Sequence, residues 1–341
     1  MTAPNLKAEA WTLYDELVAR ASTPKFTNPW VHTPAGDMTY QPDFDTLSAL
    51  LGVPLLLGAA SQSGVPALAL DVWVAYELRR AGFKPDLVWP RAHAPRILPS
   101  TMVAMIDGAT NKQRQVLHDM LASGKTYGGE TGSSANILGK NYVKQVDVVM
   151  SAWNTGPEIM ISTKRMDSSF GKNAANRVEE SYGDAKNLRS RHPQAALGFV
   201  YGLRSTAFEE APATAAWIID LLGKLGREDD AYDAVALLVP DWLDTTPTVD
   251  DTVDDSDNPL VAAGIEPADE TPDDQLPLDL PRNELEERLT ALEPVALRLD
   301  LVPDQLSPGT FFATMVSRVL DNCPITFHTE ARRRRGQPTV P

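Results

Sequence analysis

The sequence predicts an α/β fold in which a mixed β-sheet is flanked by helices. From residue 67 onward, segments with helical or strand-like periodicity follow the order α, β, β, β, α, β, α, β. Toward the end of this stretch helices and strands alternate, as a sheet flanked by helices requires. The chain has 341 residues, of which 43 % are hydrophobic, and this is enough to form a buried core.

The first 66 residues are expected to form an N-terminal helical region that precedes this core. Residues 5–21 have the apolar periodicity of an amphipathic helix, and a second helix is predicted over 43–52. Between them, residues 22–42 are rich in Pro, Thr and Asn, which is typical of a loop.

The core itself is expected over residues 67–240. A helix is predicted over 67–81, a short strand over 86–89 and a polar-faced helix over 111–123. The glycine-rich stretch 124–140 has no periodicity and predicts a flexible loop; it lacks the Gly-x-x-x-x-Gly-Lys-Ser/Thr order of a phosphate-binding loop.

A β-hairpin is the central prediction of the core. Residues 142–150 and 158–164 have the composition of strands, and Gly156-Pro157 marks the turn between them. The remaining core segments are helices over 172–190 and 211–225 and strands over 195–201 and 232–239.

The negative charge of the chain is concentrated in its last third. The net charge is −15, of which residues 241–341 contribute −13 and residues 1–240 only −2. Residues 241–281 contain many acids and no Lys or Arg, which predicts a disordered acidic linker. The near-neutral remainder permits a local basic cleft, so the overall charge does not exclude DNA as a partner.

A small C-terminal α/β segment is expected after the linker, over residues 282–341. Its predicted elements are helices over 282–292 and 308–321 and a strand over 295–301. The run Arg332 to Arg335 near the end is expected to be a mobile tail that either touches DNA or folds back on the acidic linker.

The sequence favours a cytoplasmic protein without a membrane partner. It has no run of 18 or more apolar residues, and its first residues lack the pattern of a secretory signal. Cys323 is the single cysteine, which rules out an internal disulfide and argues against a cysteine-based zinc site.

The predicted hairpin carries residues suited to phosphodiester hydrolysis. Asp147 interrupts the apolar run Val146–Val149, and a buried acid is costly unless it has a partner. Strand alternation places Ser162 and Lys164 on one face, where we expect them to face Asp147. The reaction needs carboxylates that hold one or two Mg²⁺ ions, a cation near the phosphate, and a water positioned for attack in line with the leaving oxygen.

An Asp in one strand, followed by a hairpin to a strand that ends in acid-x-Lys, resembles the signature of the PD-(D/E)XK nuclease superfamily. The core of that superfamily is a helix, three strands, a helix and a strand, the order predicted over residues 67–201. Here Ser162-Thr163-Lys164 stands where Glu-x-Lys would be, and Val146 replaces the usual Pro before the Asp. This is similar to one subgroup of type II restriction endonucleases, which keeps Ser-x-Lys and takes its glutamate from the following helix; Glu179 and Glu180 lie there, slightly farther on than in the subgroup.

The resemblance implies a restriction-endonuclease-like sheet and a role for each matching residue. Asp147 and Glu179 would bind Mg²⁺, with Glu180 as the alternative to Glu179. Glu77, in the first core helix, is a further metal candidate. Lys164 would orient or activate the attacking water and contact the scissile phosphate.

A basic cluster on and after the same predicted helix is a candidate DNA-binding surface. Its members are Lys172, Arg177, Lys186 and Arg189. Such residues either contact phosphates or form a solvated helix face with Glu-Lys pairs, and the sequence leaves both open.

Three functional hypotheses follow. The first is a Mg²⁺-dependent endodeoxyribonuclease of restriction or phage-defence type, for which double-strand cleavage would favour a homodimer. In the second, Ser162 marks a decayed motif, and the chain is a catalytically silent protein that binds nucleic acid or a protein partner. In the third, the acidic residues 241–281 are the active part and mimic DNA.

Overall fold

A five-stranded mixed sheet forms the centre of the molecule in the computed structural model. The structure describes residues 5–60, 63–122, 135–170, 174–227, 231–243, 277–278 and 280–337, without the side chains of 118, 122 and 174–178. The helices of these ranges are α1 (Leu6–Ala21), α2 (Phe44–Leu56), α3 (Val65–Arg80), α4 (Ser100–Asp107), α5 (Asn111–Ala122), α6 (Ala174–Arg191), α7 (Ala207–Glu210), α8 (Pro212–Leu225), α9 (Arg282–Ala291), α10 (Pro308–Asn322) and α11 (Thr329–Arg334). The strands are β1 (Trp30–His32), β2 (Met38–Tyr40), β3 (Val88–Trp89), β4 (Ala135–Leu138), β5 (Val143–Val146), β6 (Val148–Ala152), β7 (Gly156–Met166), β8 (Ala196–Leu203), β9 (Ala234–Leu238), β10 (Pro240–Asp241) and β11 (Ala296–Leu297).

The sheet has the strand order β3-β6-β7-β8-β9. Strand β6 runs antiparallel to both of its neighbours, β3 and β7, whereas β7, β8 and β9 run parallel to one another. Parallel neighbours need a crossover, and helices α6 and α8 provide the two crossovers. The predicted α/β fold with a mixed, helix-flanked sheet is confirmed. The predicted antiparallel pairing is present between β6 and β7, but Gly156-Pro157 belong to β7 instead of the turn, and residues 143–146 pair with β4.

Side chains alternate across the sheet and divide the core into two hydrophobic layers. Ile159 and Ile161 point into the layer that contains α1, α2, α3 and α10. Met160 on the same strand points into the other layer, which α6 and α8 cover. The first layer contains residues from the N-terminal region, the central stretch and the C-terminal segment.

Helix α3 is buried on nearly every side, because it lies between the sheet and helices α1 and α2. It nevertheless carries four buried charged residues: Asp71, Glu77, Arg79 and Arg80. Buried charges require partners, and each of these side chains has them. Arg79, for example, donates to the backbone carbonyl oxygens of Val88 and Pro90.

The C-terminal basic run differs from its prediction. Arg332 to Arg334 belong to helix α11 instead of a mobile tail. Arg332 is buried and donates to the carbonyl oxygens of Leu320 and Cys323, at 2.5 and 2.8 Å. The guanidinium group thus satisfies carbonyls at the end of α10, which sequence periodicity does not show.

The segment around residue 135 also differs from its prediction. Ala135–Leu138 is strand β4, paired antiparallel with β5, where a flexible loop was predicted over 124–140. Residues 123–134 lie outside the described part, as does most of the predicted acidic linker. Two residues at the start of that linker region, Pro240–Asp241, pair with Ala296–Leu297.

None of the described helices combines the length and apolar character needed to cross a membrane.

Candidate functional site

One residue of β7, Thr163, contacts two aspartates, the buried Asp71 and the half-buried Asp147. Its backbone N–H donates to Asp147 Oδ2 at 2.8 Å, and its hydroxyl donates to Asp71 Oδ1 at 2.5 Å. Asp147 lies between β5 and β6, whereas Asp71 comes from α3 on the opposite face of the sheet. The Thr163 side chain points toward the layer that contains α3, whereas its backbone N–H lies in the plane of the sheet, so one residue contacts both carboxylates.

Both carboxylates are held in an environment that penalises negative charge. Burial, and then the charge of Asp147, raise the pKa of Asp71 well above its ordinary value. Burial also raises the pKa of Asp147, while the nearby Lys164 opposes this shift. Among the described residues, Asp147 Oδ1 and Asp71 Oδ2 accept no hydrogen bond. The pair therefore has two carboxylate oxygens left for a cation.

Lys164 and Ser162 lie where strand alternation placed them. Because Val148 pairs with Ile161, Asp147 lies level with Ser162 on the face of the sheet that α6 covers. Lys164 is half-buried on that face, and its ammonium group forms no hydrogen bond or ion pair with other described residues. Its charge acts on both aspartates.

Ser162 is buried and has a structural contact. Its side chain meets the hydroxyl of Tyr232, which donates to the carbonyl oxygen of Ser181 at 2.9 Å. Ser162 thus helps to fix α6 against the sheet, and no carboxylate stands at its position.

The face of α6 that is directed toward this site contains Asp184. Its carboxylate pairs with Lys144 at 2.7 Å and accepts from the Tyr142 hydroxyl at 3.0 Å, and its charge contributes to the raised pKa of Asp147. Glu180 precedes Asp184 by one helical turn and is half-buried on the same face. Glu179 is exposed. The geometry therefore favours Glu180 over Glu179, the reverse of the preference drawn from spacing.

Glu77 lies away from the aspartate pair, although it shares α3 with Asp71. Six residues along a helix correspond to about 9 Å of rise and about 240° of rotation. The Glu77 carboxylate accepts from Arg80 at 2.8 Å, from the Tyr40 hydroxyl at 2.9 Å and from the backbone N–H of Asp43 at 2.7 Å. These partners satisfy both of its oxygens, so the geometry gives the prediction of Glu77 as a metal ligand no support.

The predicted DNA-binding cluster divides into separate environments. Arg189 is engaged within the fold, since it pairs with Asp233 at 2.6 Å and donates to the carbonyl oxygens of Ala195 and Ala231. Lys186 is half-buried, with its ammonium group 4.7 Å from the centre of the Tyr182 ring. Lys172 lies outside the described residues, and so does the side chain of Arg177.

A second group of candidate ligands lies at the other end of β7. One ligand atom each of Glu158, Cys323 and His328 lies within 4.8 Å of the others, the single such group of three among the described His, Cys, Asp and Glu side chains. No third described His, Cys, Asp or Glu side chain completes such a group with Asp71 and Asp147. Magnesium tolerates this, because it usually keeps several waters and binds through one or two carboxylates.

Asp71 is the residue that sequence reasoning missed. It lies in an apolar helical stretch, Leu68 to Val74, and an acid there was a signal of a buried partner, as it was for Asp147. The sequence does not predict how α3 is rotated about its own axis, and this rotation directs residue 71, and not residue 77, toward the hairpin.

The chain matches no family model, no curated protein and no solved structure in the comparisons made.

Proposed function

We propose that the protein is a Mg²⁺-dependent endodeoxyribonuclease, of restriction or phage-defence type, that acts in the cytoplasm. The observation that carries the proposal is the pair of carboxylates, the buried Asp71 and the half-buried Asp147, joined by Thr163 with Lys164 beside them. Phosphodiester hydrolysis needs this combination of metal-binding oxygens and a neighbouring cation.

The donor set of the pair fits Mg²⁺. Both side chains offer carboxylate oxygens, the hard ligands that this ion prefers, and each has one oxygen without a hydrogen bond among the described residues. A bound divalent cation would also offset the cost of two neighbouring negative charges, which the single charge of Lys164 cannot fully balance. When bound, Mg²⁺ supplies Lewis-acid activation of the phosphate and of a coordinated water.

The chain's own residues would divide the remaining tasks. Lys164 would lie against the scissile phosphate, where its ammonium group would stabilise the charge that develops and orient the attacking water. Thr163 holds the two aspartates in register, because one residue bonds to both. Glu180 would contribute a third carboxylate from α6, on the face that already places Asp184 near Asp147.

The order of elements supports the same proposal. Helix α3, strands β3, β6 and β7, helix α6 and strand β8 follow the core order of the PD-(D/E)XK superfamily, with β4, β5 and two helices inserted after β3. Asp147 immediately precedes β6 and Lys164 lies on β7, the next strand along the chain, which is the arrangement of the motif. DNA as substrate and a homodimer that cuts both strands belong to this proposal.

A catalytically silent binding protein is the second candidate, and Ser162 is the observation that favours it. The position that carries an acid in most of the superfamily is occupied here by a buried serine that packs on Tyr232. If Glu180 did not replace that acid, the site would bind a metal and DNA without cutting.

The test is cleavage of plasmid and phage genomic DNA, modified and unmodified, with Mg²⁺ or Mn²⁺. Wild type would be compared with Asp147→Asn and Lys164→Ala, and with Lys224→Ala, an exposed lysine on α8, as the matched control. We expect cutting by wild type and by the control, and none by the two site variants. Mn²⁺ binding would be measured in parallel by calorimetry.

The outcomes separate the candidates. Metal and DNA binding that depends on Asp147 but never leads to cleavage would establish the silent binding protein. Cleavage that survives both site variants, or metal binding that is indifferent to Asp147, would overturn the proposed site.

A further inference from the structure

We propose that Glu158, Cys323 and His328 form a zinc site that clamps the C-terminal segment to the β6–β7 hairpin. The site is separate from the aspartate pair and does not depend on the proposed nuclease activity. Its three residues come from the start of β7, the end of α10 and the residue before α11.

The three ligand atoms already converge. Glu158 Oε2 lies 2.5 Å from His328 Nε2 and 3.5 Å from Cys323 Sγ, and all three atoms lie within 4.8 Å of one another. With bond lengths of about 2.0–2.3 Å, a tetrahedral zinc ion separates its ligand atoms by roughly 3.3–3.6 Å. Binding therefore requires the Glu–His contact to open by about 1 Å.

The chemistry of the donors selects the metal. A thiolate, an imidazole and a carboxylate form a mixed S, N, O set that suits zinc, whereas magnesium avoids sulfur and nitrogen. The Glu158 and His328 side chains are nearly inaccessible, at 6 % and 4 % exposure, so these two ligands lie inside the protein and not on its surface. Zinc binding would release the thiol proton of Cys323, because the metal ligand is the thiolate.

The backbone around His328 supports a ligand role. His328 adopts φ 53° and ψ 42°, in the left-handed region that non-glycine residues seldom occupy. Such a conformation persists where the surroundings fix it, and it is concentrated at functional sites. Here it turns the imidazole toward Glu158, with the edge of the Phe83 ring packed beside it.

A fourth coordination position would be open to water. A pocket of about 650 Å³ lies next to the cluster and is lined by Glu158 and His328, together with residues of α4 and of the segment 326–330. Three protein ligands and an accessible fourth position are a common arrangement for zinc.

The experiment uses the full-length protein, stripped with a chelator and then titrated with Zn²⁺ or Co²⁺. We expect one tightly bound metal per chain and, with Co²⁺, a sulfur-to-metal charge-transfer band, which reports thiolate coordination directly. Cys323→Ser should remove the band, and Cys323→Ser, His328→Asn and Glu158→Gln should each weaken Zn²⁺ binding by roughly 10–100-fold or more. Asparagine is chosen at 328 because it tolerates the left-handed conformation.

Two controls make the result specific. His32→Gln changes an exposed histidine in β1 and should leave Zn²⁺ affinity unchanged, and so should Asp147→Asn, which alters only the proposed magnesium site. Wild-type protein that shows no charge-transfer band and no Zn²⁺ binding above the level of Cys323→Ser would overturn the proposal and leave the three residues as a hydrogen-bonded cluster. Because wild type alone can give that answer, a variant that fails to fold does not obscure it.

Discussion

Thr163 and Asp71 form a side-chain hydrogen bond between helix α3 and the central strand of the sheet, with 2.5 Å between Thr163 Oγ1 and Asp71 Oδ1. The same threonine donates its backbone N–H to Asp147. Its side chain and its backbone therefore hold different carboxylates, and substitution can separate the two contacts.

Thr163→Val should remove the contact with Asp71 and keep the one with Asp147. Valine has nearly the same shape, and the backbone N–H is unchanged, so only the hydroxyl bond is lost. A buried acceptor that loses its donor costs about 1–3 kcal/mol of unfolding free energy. Urea unfolding should show this loss, together with reduced cleavage, whereas Thr163→Ser should retain both. If Thr163→Val were as stable as wild type, the hydrogen bond between Thr163 and Asp71 would not contribute to stability, contrary to this prediction.

Asp71→Asn should stabilise the metal-free protein and abolish its response to Mg²⁺. Asparagine keeps an oxygen that can accept from Thr163 but cannot carry the negative charge that burial and the neighbouring Asp147 penalise at this position. We therefore expect a higher unfolding free energy than that of wild type without metal. Wild type should gain thermal stability with added Mg²⁺, because a ligand that binds the native state stabilises it, and the variant should not. An Mg²⁺ response that survives in the variant would remove Asp71 from the site.

Glu180→Gln and Glu179→Gln form a matched pair that tests which glutamate completes the site. Glu180 is half-buried on the face of Asp184, and Glu179 is exposed. We expect Glu180→Gln to lose cleavage by about 100-fold or more, since a lost metal ligand impairs the metal's role in the reaction, and Glu179→Gln to stay within about threefold of wild type. The comparison is made by single-turnover cleavage at saturating Mg²⁺. A larger loss of cleavage in Glu179→Gln than in Glu180→Gln would instead identify Glu179 as the ligand, as the spacing in the sequence predicts.

The sheet could be predicted from the sequence because its strands carry strong local signals. The apolar strands β8 and β9 are predicted within two residues of their true bounds, since continuous apolar runs between turn residues mark buried strands. The first strand of the predicted hairpin, 142–150, is divided between β5 and β6, because Asp147 separates the segment that pairs with β4 from the one that pairs with β7. Strand β4 has no such signal: its four residues alternate between buried and less buried positions and follow a glycine-rich stretch. Its pairing with β5 is what makes it a strand.

The candidate site was only partly predictable, for a reason of geometry. Asp147 and Lys164 lie on paired strands, where the period of two fixes which residues share a face. Asp71 and the group of Glu158, Cys323 and His328 depend on how distant segments pack. Cys323 and His328 are five residues apart, but Glu158 precedes them by more than 160, and no local pattern connects the three.

Glu77→Gln should destabilise the fold without changing metal affinity. Glu77 and Arg80 form a buried ion pair at 2.8 Å, and removal of one partner leaves the other charge buried and uncompensated. Such changes cost about 3–5 kcal/mol, which urea unfolding would show. Mn²⁺ affinity, measured under conditions where the variant is folded, should equal that of wild type. A stable variant with lost Mn²⁺ binding would instead make Glu77 a ligand, as the sequence resemblance implied.

Arg189 and Lys186 should differ in their effect on DNA binding, although the sequence grouped them together. Arg189 is held by Asp233 and two carbonyl oxygens, so Arg189→Ala should lower the unfolding free energy and leave the salt dependence of DNA binding unchanged. Lys186 is half-buried, with its ammonium group 4.7 Å from the centre of the Tyr182 ring. As a phosphate contact it would contribute about 0.9 to the slope of log affinity against log salt, so Lys186→Gln should reduce the slope by that amount. The salt dependence of DNA affinity would be measured by fluorescence anisotropy, with each substitution combined with Lys164→Ala to prevent cleavage.

If Arg189→Ala reduced this salt dependence and Lys186→Gln did not, the DNA-binding surface would lie on the opposite side of α6, next to β9.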